Sequence, residues 1–222
     1  MSSLARHLAF GLEIVQEKQA SALHQISDHW SVSMSDGEVW SAKAIILTAP
    51  VPQSLVLLDA GGVVIEPALK SRLSAIQYAR CLAVMAVLEG PSRMAPPGGI
   101  APSQGPIAWI ADNQLKGISA EPAITIHATD AFSVAHWDQD RDATARMLIA
   151  AADEWLGVGI KSVQIHGWRF SKPKQTDPST CAVVSSNPSM VLAGDAFAGP
   201  RVEGAVLSGW AAAEAVIEAI QH

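Results

Sequence analysis

Cysteine is scarce in this 222-residue chain: only Cys81 and Cys181 occur, far apart and with no Cys-x-x-Cys pair. A secreted disulfide framework needs more, so both read as buried free thiols in a reducing compartment. The seven histidines show no His-x-x-x-His or His-Glu-x-x-His spacing, and they read as ordinary surface or satisfied core residues rather than metal ligands. Lys and Arg are scattered singly in a chain of net charge −6, which argues against a nucleic-acid partner. Nowhere do about 18 apolar residues run together, and the amphipathic start from Met1 to Ala9 does not read as a signal peptide. The cytoplasm is therefore the expected location. Walker A and Gly-x-Ser-x-Gly sequences are missing too, which removes the P-loop and hydrolase-elbow readings. Tyrosine is nearly absent, with one residue against seven tryptophans.

What is there alternates between strand-like and helical patterns. Residues 2–10 read as a short helix that Gly11 stops. Residues 12–15 and 21–26 read as strands, and Ser35-Asp36-Gly37 marks a hairpin between residues 30–34 and 38–41. Residues 44–49 are apolar on both faces, as suits a strand inside a parallel sheet, and they end at Pro50-Val51-Pro52. Helix is expected over the stretch from there to Leu58 and over 67–76, strand over 80–88, loop over 90–105, and strands over 107–111 and 123–128. A turn or short helix near 131–136 precedes a helix from Asp140 to Trp155, closed by Gly157. A strand at 162–170, a polar connection at 171–188, a short strand at 190–193 and a terminal helix from about Val202 complete the pattern. Strands alternating with helices at both ends, around a strand-rich middle, predict an α/β layer enclosing an inserted α+β region.

One segment carries chemistry: Val191-Leu192-Ala193-Gly194-Asp195, then Ala196-Phe197-Ala198-Gly199-Pro200-Arg201, then Val202-Glu203-Gly204 opening a helix of small residues. A carboxylate beyond the carboxyl end of a buried strand stands where open α/β sheets bind ligands. Asp195 there would accept hydrogen bonds from sugar or ribityl hydroxyls. The bare amide groups at the next helix's start suit a phosphate, or the C2 carbonyl and N1 of a flavin. Gly204 and Gly209 would let a flat ring or the sheet approach closely. The plainer reading stays open: Asp195 as a cap, and the Gly/Ala-rich helix as tight packing.

The stretch from Val191 to Ala213 resembles the C-terminal flavin signature of renalase-like and other amine-oxidase-type flavoproteins. There the strand-Gly-Asp element holds the FAD ribityl chain and the following helix faces the ring. Residues 1–12 resemble an internal helix of that family. Residues 20–23 resemble the strand passing the adenine, with Ala20 where the family usually has Val. Residues 42–53, including Thr48-Ala49-Pro50, resemble the second flavin-domain strand and its turn. Residues 107–110, 125–132, 138–156 and 166–170 resemble the substrate domain and its return strand.

The resemblance implies an incomplete FAD-binding domain (Rossmann-like, glutathione-reductase-type) at 1–58 and 176–222, with a mixed-sheet substrate domain at 59–175. It implies a cofactor site of Gly194, Asp195, Arg201, Val202, Glu203, Gly204, Ala20 and Pro50. Trp168, Phe170 and Trp109 would form the substrate pocket, with no catalytic residue and no metal. By residue type alone, Trp168-Arg169-Phe170 reads rather as a strand packing an indole into a core, and the resemblance brings the two readings level. The implied reaction is hydride transfer from an amine or reduced nicotinamide-type substrate to flavin, then reoxidation by oxygen. The strand-Gly-x-Gly-x-x-Gly-helix element that holds FAD phosphates is not in the sequence: Gly157-Val158-Gly159 lacks the third glycine and follows a helix. The resemblance thus implies about a hundred further residues ahead of Met1, weak or no FAD binding by this chain alone, and exposed strand edges open to self-association or a partner chain. A non-catalytic relic, or half of a split protein, is the alternative.

Overall fold

The structure is a computed structural model that describes residues 2–221. The chain divides into two compact units, one of residues 1–76 with 175–222 and one of residues 77–174.

In the first unit, α1 (Ser2–Leu8) is followed by β1 (Ala20–Ile26), β2 (His29–Met34) and β3 (Val39–Ala42), an antiparallel meander. The Asp-Gly turn forms where the sequence places it. Gly37 takes φ +90°, and the Asp36 carboxylate accepts the Glu38 N–H at 3.1 Å. Residues 12–15 form no strand; Leu12, Ile14 and Val15 are exposed, so their alternation has no sheet to bury one side against.

The second sheet has the order β10–β11–β4, from β4 (Ala44–Leu47), β10 (Ala182–Ser186) and β11 (Ser189–Leu192). β11 runs parallel to β4, with Met190 opposite Ile45 and Leu192 opposite Leu47, and antiparallel to β10. The polar composition of 171–188 hid β10, which pairs on one side only and keeps Val183 and Ser186 in the open. Among the described residues β4 is an edge strand, and Ile46 stays exposed there. Fully buried Trp30 on β2 donates its Nε1–H to the Ser189 carbonyl at 3.0 Å, joining the meander to this sheet.

The last helix, α7 (Val202–Gln221), turns Gly204, Ser208 and Ala212 inward at a four-residue spacing. Ala212 packs with Val191 and Ala193 in one apolar cluster. The small residues of that stripe let the helix sit close to the sheet at Ala212 and to the loop before it at Gly204.

Helices α2 (Val51–Ala60) and α3 (Pro67–Ser74) complete the unit. α2 lies against β1, and at its end a Cβ on Gly61 would stand 1.6 Å from the Leu23 carbonyl oxygen. Leu58 and Leu73 are fully buried. This packing carries the first unit to Ile76, eighteen residues past the Leu58 boundary read from the sequence.

The second unit is a five-stranded antiparallel sheet, β6–β7–β8–β5–β9. Its strands are β5 (Tyr78–Leu88), β6 (Gly99–Ile100), β7 (Ile107–Asp112), β8 (Ala123–Ala128) and β9 (Ile160–Pro173). One sheet face, with Leu82, Val84, Ile110, Ile124 and Ile126, packs in a single core with Leu148, Ala152 and Leu156. Burying each such leucine or isoleucine contributes about 1.5–3 kcal/mol. The helices are α4 (Asp130–Ala135), α5 (Arg141–Ala151) and α6 (Asp153–Leu156). Thr129 caps α4 and Asp140 caps α5 through the Ala143 N–H at 2.7 Å. The helix expected from Asp140 to Trp155 breaks at Ala152, which is fully buried; Gly157 then ends α6 in the left-handed region at φ +68°. Among the described residues no helix is long and apolar enough to cross a membrane.

Candidate functional site

β11 ends at Leu192, and the Ala193 N–H still donates to the Leu47 carbonyl at 2.9 Å. Gly194 then takes φ +129°, a conformation glycine adopts freely. Its N–H donates to the Ser208 hydroxyl at 3.0 Å, tying the turn to the buried side of α7. The chain next buries Ala196 and Phe197, while the Ala196 carbonyl accepts the Asp177 N–H at 2.7 Å. Asp177 is itself held: its carboxylate side chain is fully buried, accepts the Ser179 N–H at 2.8 Å, and lies 2.9 Å from Arg72 Nε. Ala198 sits at φ +52°, a strained value for a residue with a Cβ, and Gly199 follows at +117°. A glycine at 204 is required for a different reason. A Cβ there would stand 2.2 Å from the Gly199 carbonyl oxygen.

The outcome is a fixed turn that brings Asp195, Pro200, Arg201, Val202 and Ala205 around one cleft of about 470 Å³. Asp195 is half-buried. The first N–H groups of α7 have no carbonyl four residues back, and the helix dipole places partial positive charge at that end. A carboxylate and helix amides thus border the same space, one an acceptor and the other donors.

Of the residues the sequence singles out, Asp195, Arg201 and Val202 line this cleft. Gly194 shapes the turn and Gly204 the close approach of helix and loop. Exposed Glu203 stands in the first turn of α7. Ala20, at the start of β1, and Pro50, just before α2, belong to the same unit but do not line the cleft. The approach expected at Gly204 is made by loop backbone, not by the sheet. At Gly209 no protein atom lies within 4 Å of where its Cβ would be, so the sheet makes no close approach there. Ser208, in Leu-Ser-Gly, carries no motif that marks it in the sequence, yet its hydroxyl holds the turn.

The aromatic candidates lie in the second unit. Cross-strand pairing sets Trp109 beside His127, His127 beside Ala83 and Ala83 beside His166, so all four share the sheet face opposite the helices. Trp168 is two residues from His166 on the same face, with ring centroids 4.4 Å apart. Trp168 is 54% exposed, which removes its core-packing reading. Phe170 meets Tyr78 edge-on at 5.6 Å. His166 gave no sequence signal beyond its neighbour, because only strand pairing shows which residues share a face.

No family model matches the sequence. Solved structures share the fold. A cofactor-binding redesign of a putrescine oxidase superposes with a TM-score of 0.66 at 13% identity, covering 97% of this chain and 52% of that one. An Exiguobacterium sp. 255-15 protein provisionally described as a protoporphyrinogen oxidase gives 0.63 at 18%, covering 100% and 51%. A fatty acid isomerase from P. acnes that produces CLA gives 0.63 at 11%, covering 96% and 50%. The chain is therefore a mixed α/β protein with the fold of part of these enzymes, and it spans about half the length of each.

Proposed function

We propose that this chain is part of an FAD-dependent oxidoreductase of the amine-oxidase type, of the renalase-like kind. In this reading the turn from Gly194 to Arg201 and the start of α7 receive the ribityl and ring-carbonyl side of the cofactor. The observation that carries the reading is the shared cleft, where a half-buried Asp195 carboxylate and the amino end of a helix face the same space. A polyol fits the first and a partly negative oxygen fits the second. When bound, FAD supplies the two-electron acceptor for an amine or a reduced nicotinamide-type substrate, and oxygen restores it.

The chain's own residues bind and orient. Asp195 accepts hydroxyl hydrogens, the α7 amides and Arg201 favour negative charge, and Ser208 and Arg72–Asp177 hold the turn in place. The exposed face of Trp168, His166 and Trp109, with Phe170 beside it, offers flat apolar surface for a substrate. No side chain is assigned as a base, because hydride loss from a neutral amine or dihydropyridine requires none.

The phosphate-holding Gly-x-Gly-x-x-Gly has no counterpart in the sequence. FAD and riboflavin are therefore expected to bind this chain weakly and within about fivefold of each other, by fluorescence titration, with Asp195→Ala weakening both. FAD binding a hundredfold tighter than riboflavin, or an unchanged Asp195→Ala, would sink the assignment.

One observation favours a second reading, that the chain works only with another polypeptide. The outer face of α7 exposes Leu207, Trp210 and Ile217, and β4 leaves a strand edge unpaired among the described residues. Self-association in light scattering, reversed by Trp210→Glu, supports that reading; a monodisperse monomer counts against it.

A further inference from the structure

Trp137, in the turn between α4 and α5, is only 9% exposed. Three arginines from three separate elements converge on its ring. The guanidinium carbon of Arg80 on β5 lies 4.9 Å from the ring centroid, that of Arg141 at the start of α5 lies at 5.3 Å, and that of Arg169 on β9 at 5.9 Å. The convergence depends on Gly167. A Cβ there would stand 3.1 Å from the Trp137 ring and 3.3 Å from Arg141 Nη2. One arginine over an indole is a familiar cation–π contact. Three are harder to explain that way, because the ring edge carries the positive part of the quadrupole and the three charges repel one another.

The carboxylates that would normally neutralise such a cluster are engaged elsewhere or stand off. Asp130 pairs with Lys174 at 2.7 Å and accepts the Arg80 backbone N–H at 2.8 Å. Asp140 caps α5. Among the described residues no carboxylate oxygen lies within 4 Å of any of the three guanidinium groups. Arg141 Nη1 is buried and donates to no acceptor. Arginine stays charged at every pH the protein meets, so the repulsion and the unused donor cannot be relieved by deprotonation.

We infer that this cluster binds a phosphoryl group, as inorganic phosphate or the terminal phosphate of a small ester. Three guanidinium forks approaching from β5, α5 and β9 present more donors than the two oxygens of a carboxylate accept. A terminal phosphoryl group offers three oxygens in a tetrahedral arrangement and a double charge. Beside the cluster, on the β9 face that carries Gly167, a groove of about 240 Å³ runs between α5 and β9, lined by Ala145, Ile149, Val163 and Ile165 with Asp142 and Arg146 at its polar side. Its apolar lining suits the organic part of an ester. The site shares no residue with the cleft at Asp195, so it stands or falls independently of the flavin reading.

The test is calorimetric titration of the full chain with inorganic phosphate and with phenyl phosphate. Acetate and benzoate serve as carboxylate probes, and ionic strength is fixed with chloride. Both phosphates are expected to bind one per chain and to raise the unfolding temperature. Arg141→Met should weaken them at least about tenfold. Arg141→Lys, which keeps the charge but loses the fork, should fall in between, and Asp142→Asn should tighten them. Should Arg141→Met fail to fold, Arg169→Met, at an exposed strand position, carries the same test. Heat no larger than an equal ionic strength of chloride gives, or affinity unchanged in the arginine variants, overturns the site. Benzoate binding as tightly as phenyl phosphate overturns its assignment to a phosphoryl group.

Discussion

Two glycines on one helix separate packing from propensity. A Cβ built on Gly204 would stand 2.2 Å from the carbonyl oxygen of Gly199, 2.8 Å from its carbonyl carbon and 2.9 Å from the Ala198 oxygen. All three are backbone atoms, so no rotamer change relieves the clash. The loop cannot easily withdraw, because Phe197 and Ala196 are buried behind it and the Ala196 carbonyl is bonded to Asp177. Nor can the helix, whose Ser208 hydroxyl and Ala212 are packed on the sheet side. Gly209, five residues on, has open space where its Cβ would go. Replacing a mid-helix glycine with alanine favours the helix by up to about 1 kcal/mol. Overpacking costs about 1–3 kcal/mol.

Gly209→Ala should therefore raise stability, while Gly204→Ala lowers it by up to about 2 kcal/mol once a propensity gain of about 1 kcal/mol is offset. For a chain of this length each kcal/mol moves the unfolding midpoint by about 2–4 °C. Urea titration read by circular dichroism, with a thermal melt alongside, measures both. If Gly204→Ala unfolds at or above the wild-type midpoint, the loop is not pinned as argued. The geometry of the turn then loses its role in placing Asp195.

Ser208→Ala should cost about 1–3 kcal/mol in the same titration, because it strands the Gly194 N–H beside a buried helix face; an unchanged midpoint would mean water replaces the hydroxyl. Asp130, hydrogen-bonded to Lys174 and to the Arg80 N–H, is held below the ordinary carboxylate range. Its stabilising contribution is therefore complete above about pH 4 and is lost as pH falls through its lowered value. Asp130→Asn should be less stable than wild type at neutral pH and should flatten the acid limb below about pH 4; parallel pH profiles would refute this. Burial raises the Cys81 thiol above its ordinary value, and burial raises the partly covered Cys181 too. A thiol reagent at neutral pH should therefore modify Cys181 slowly, and Cys81 only as the protein unfolds.

Local signals made most of the elements legible. The Asp-Gly hairpin, the apolar run at Ala44–Leu47 and the glycine stop after Leu156 each act over a few residues, and each formed where its chemistry points. The misses came from contacts distant in sequence. Residues 12–15 alternate like a strand but have no partner, while residues 182–186, Ala-Val-Val-Ser-Ser within an otherwise polar connection, make one because β11 offers an edge. Likewise Asp195 could be picked out as a carboxylate after a buried strand. Ser208 could not, since its value lies in a bond to Gly194 that only the returning helix creates. The Trp137 cluster was equally hidden, its arginines lying on three elements up to 89 positions apart in the chain.

Helix α7 decides how far a single-chain account of this fold can go. A helix that packs on one side carries polar residues on the other. Here the inward stripe of Gly204, Ser208 and Ala212 is small, yet the outward positions include Leu207, Trp210, Ile217 and Ile220, relieved by Glu203, Glu214, Glu218 and Gln221. Trp210, at 63% exposed, is the largest of them. Such a helix is apolar nearly all round, the pattern of an element buried on two sides. The open edge at β4 belongs to the sheet that α7 packs on, so a strand added there would extend the layer beneath the helix. Both features offer apolar surface or unpaired backbone to another polypeptide, and the chain spans about half the length of the solved structures that share its fold. An exposed apolar helix face and an open strand edge in the same layer are therefore explained together by one covering surface. Two unrelated defects would be needed to explain them apart.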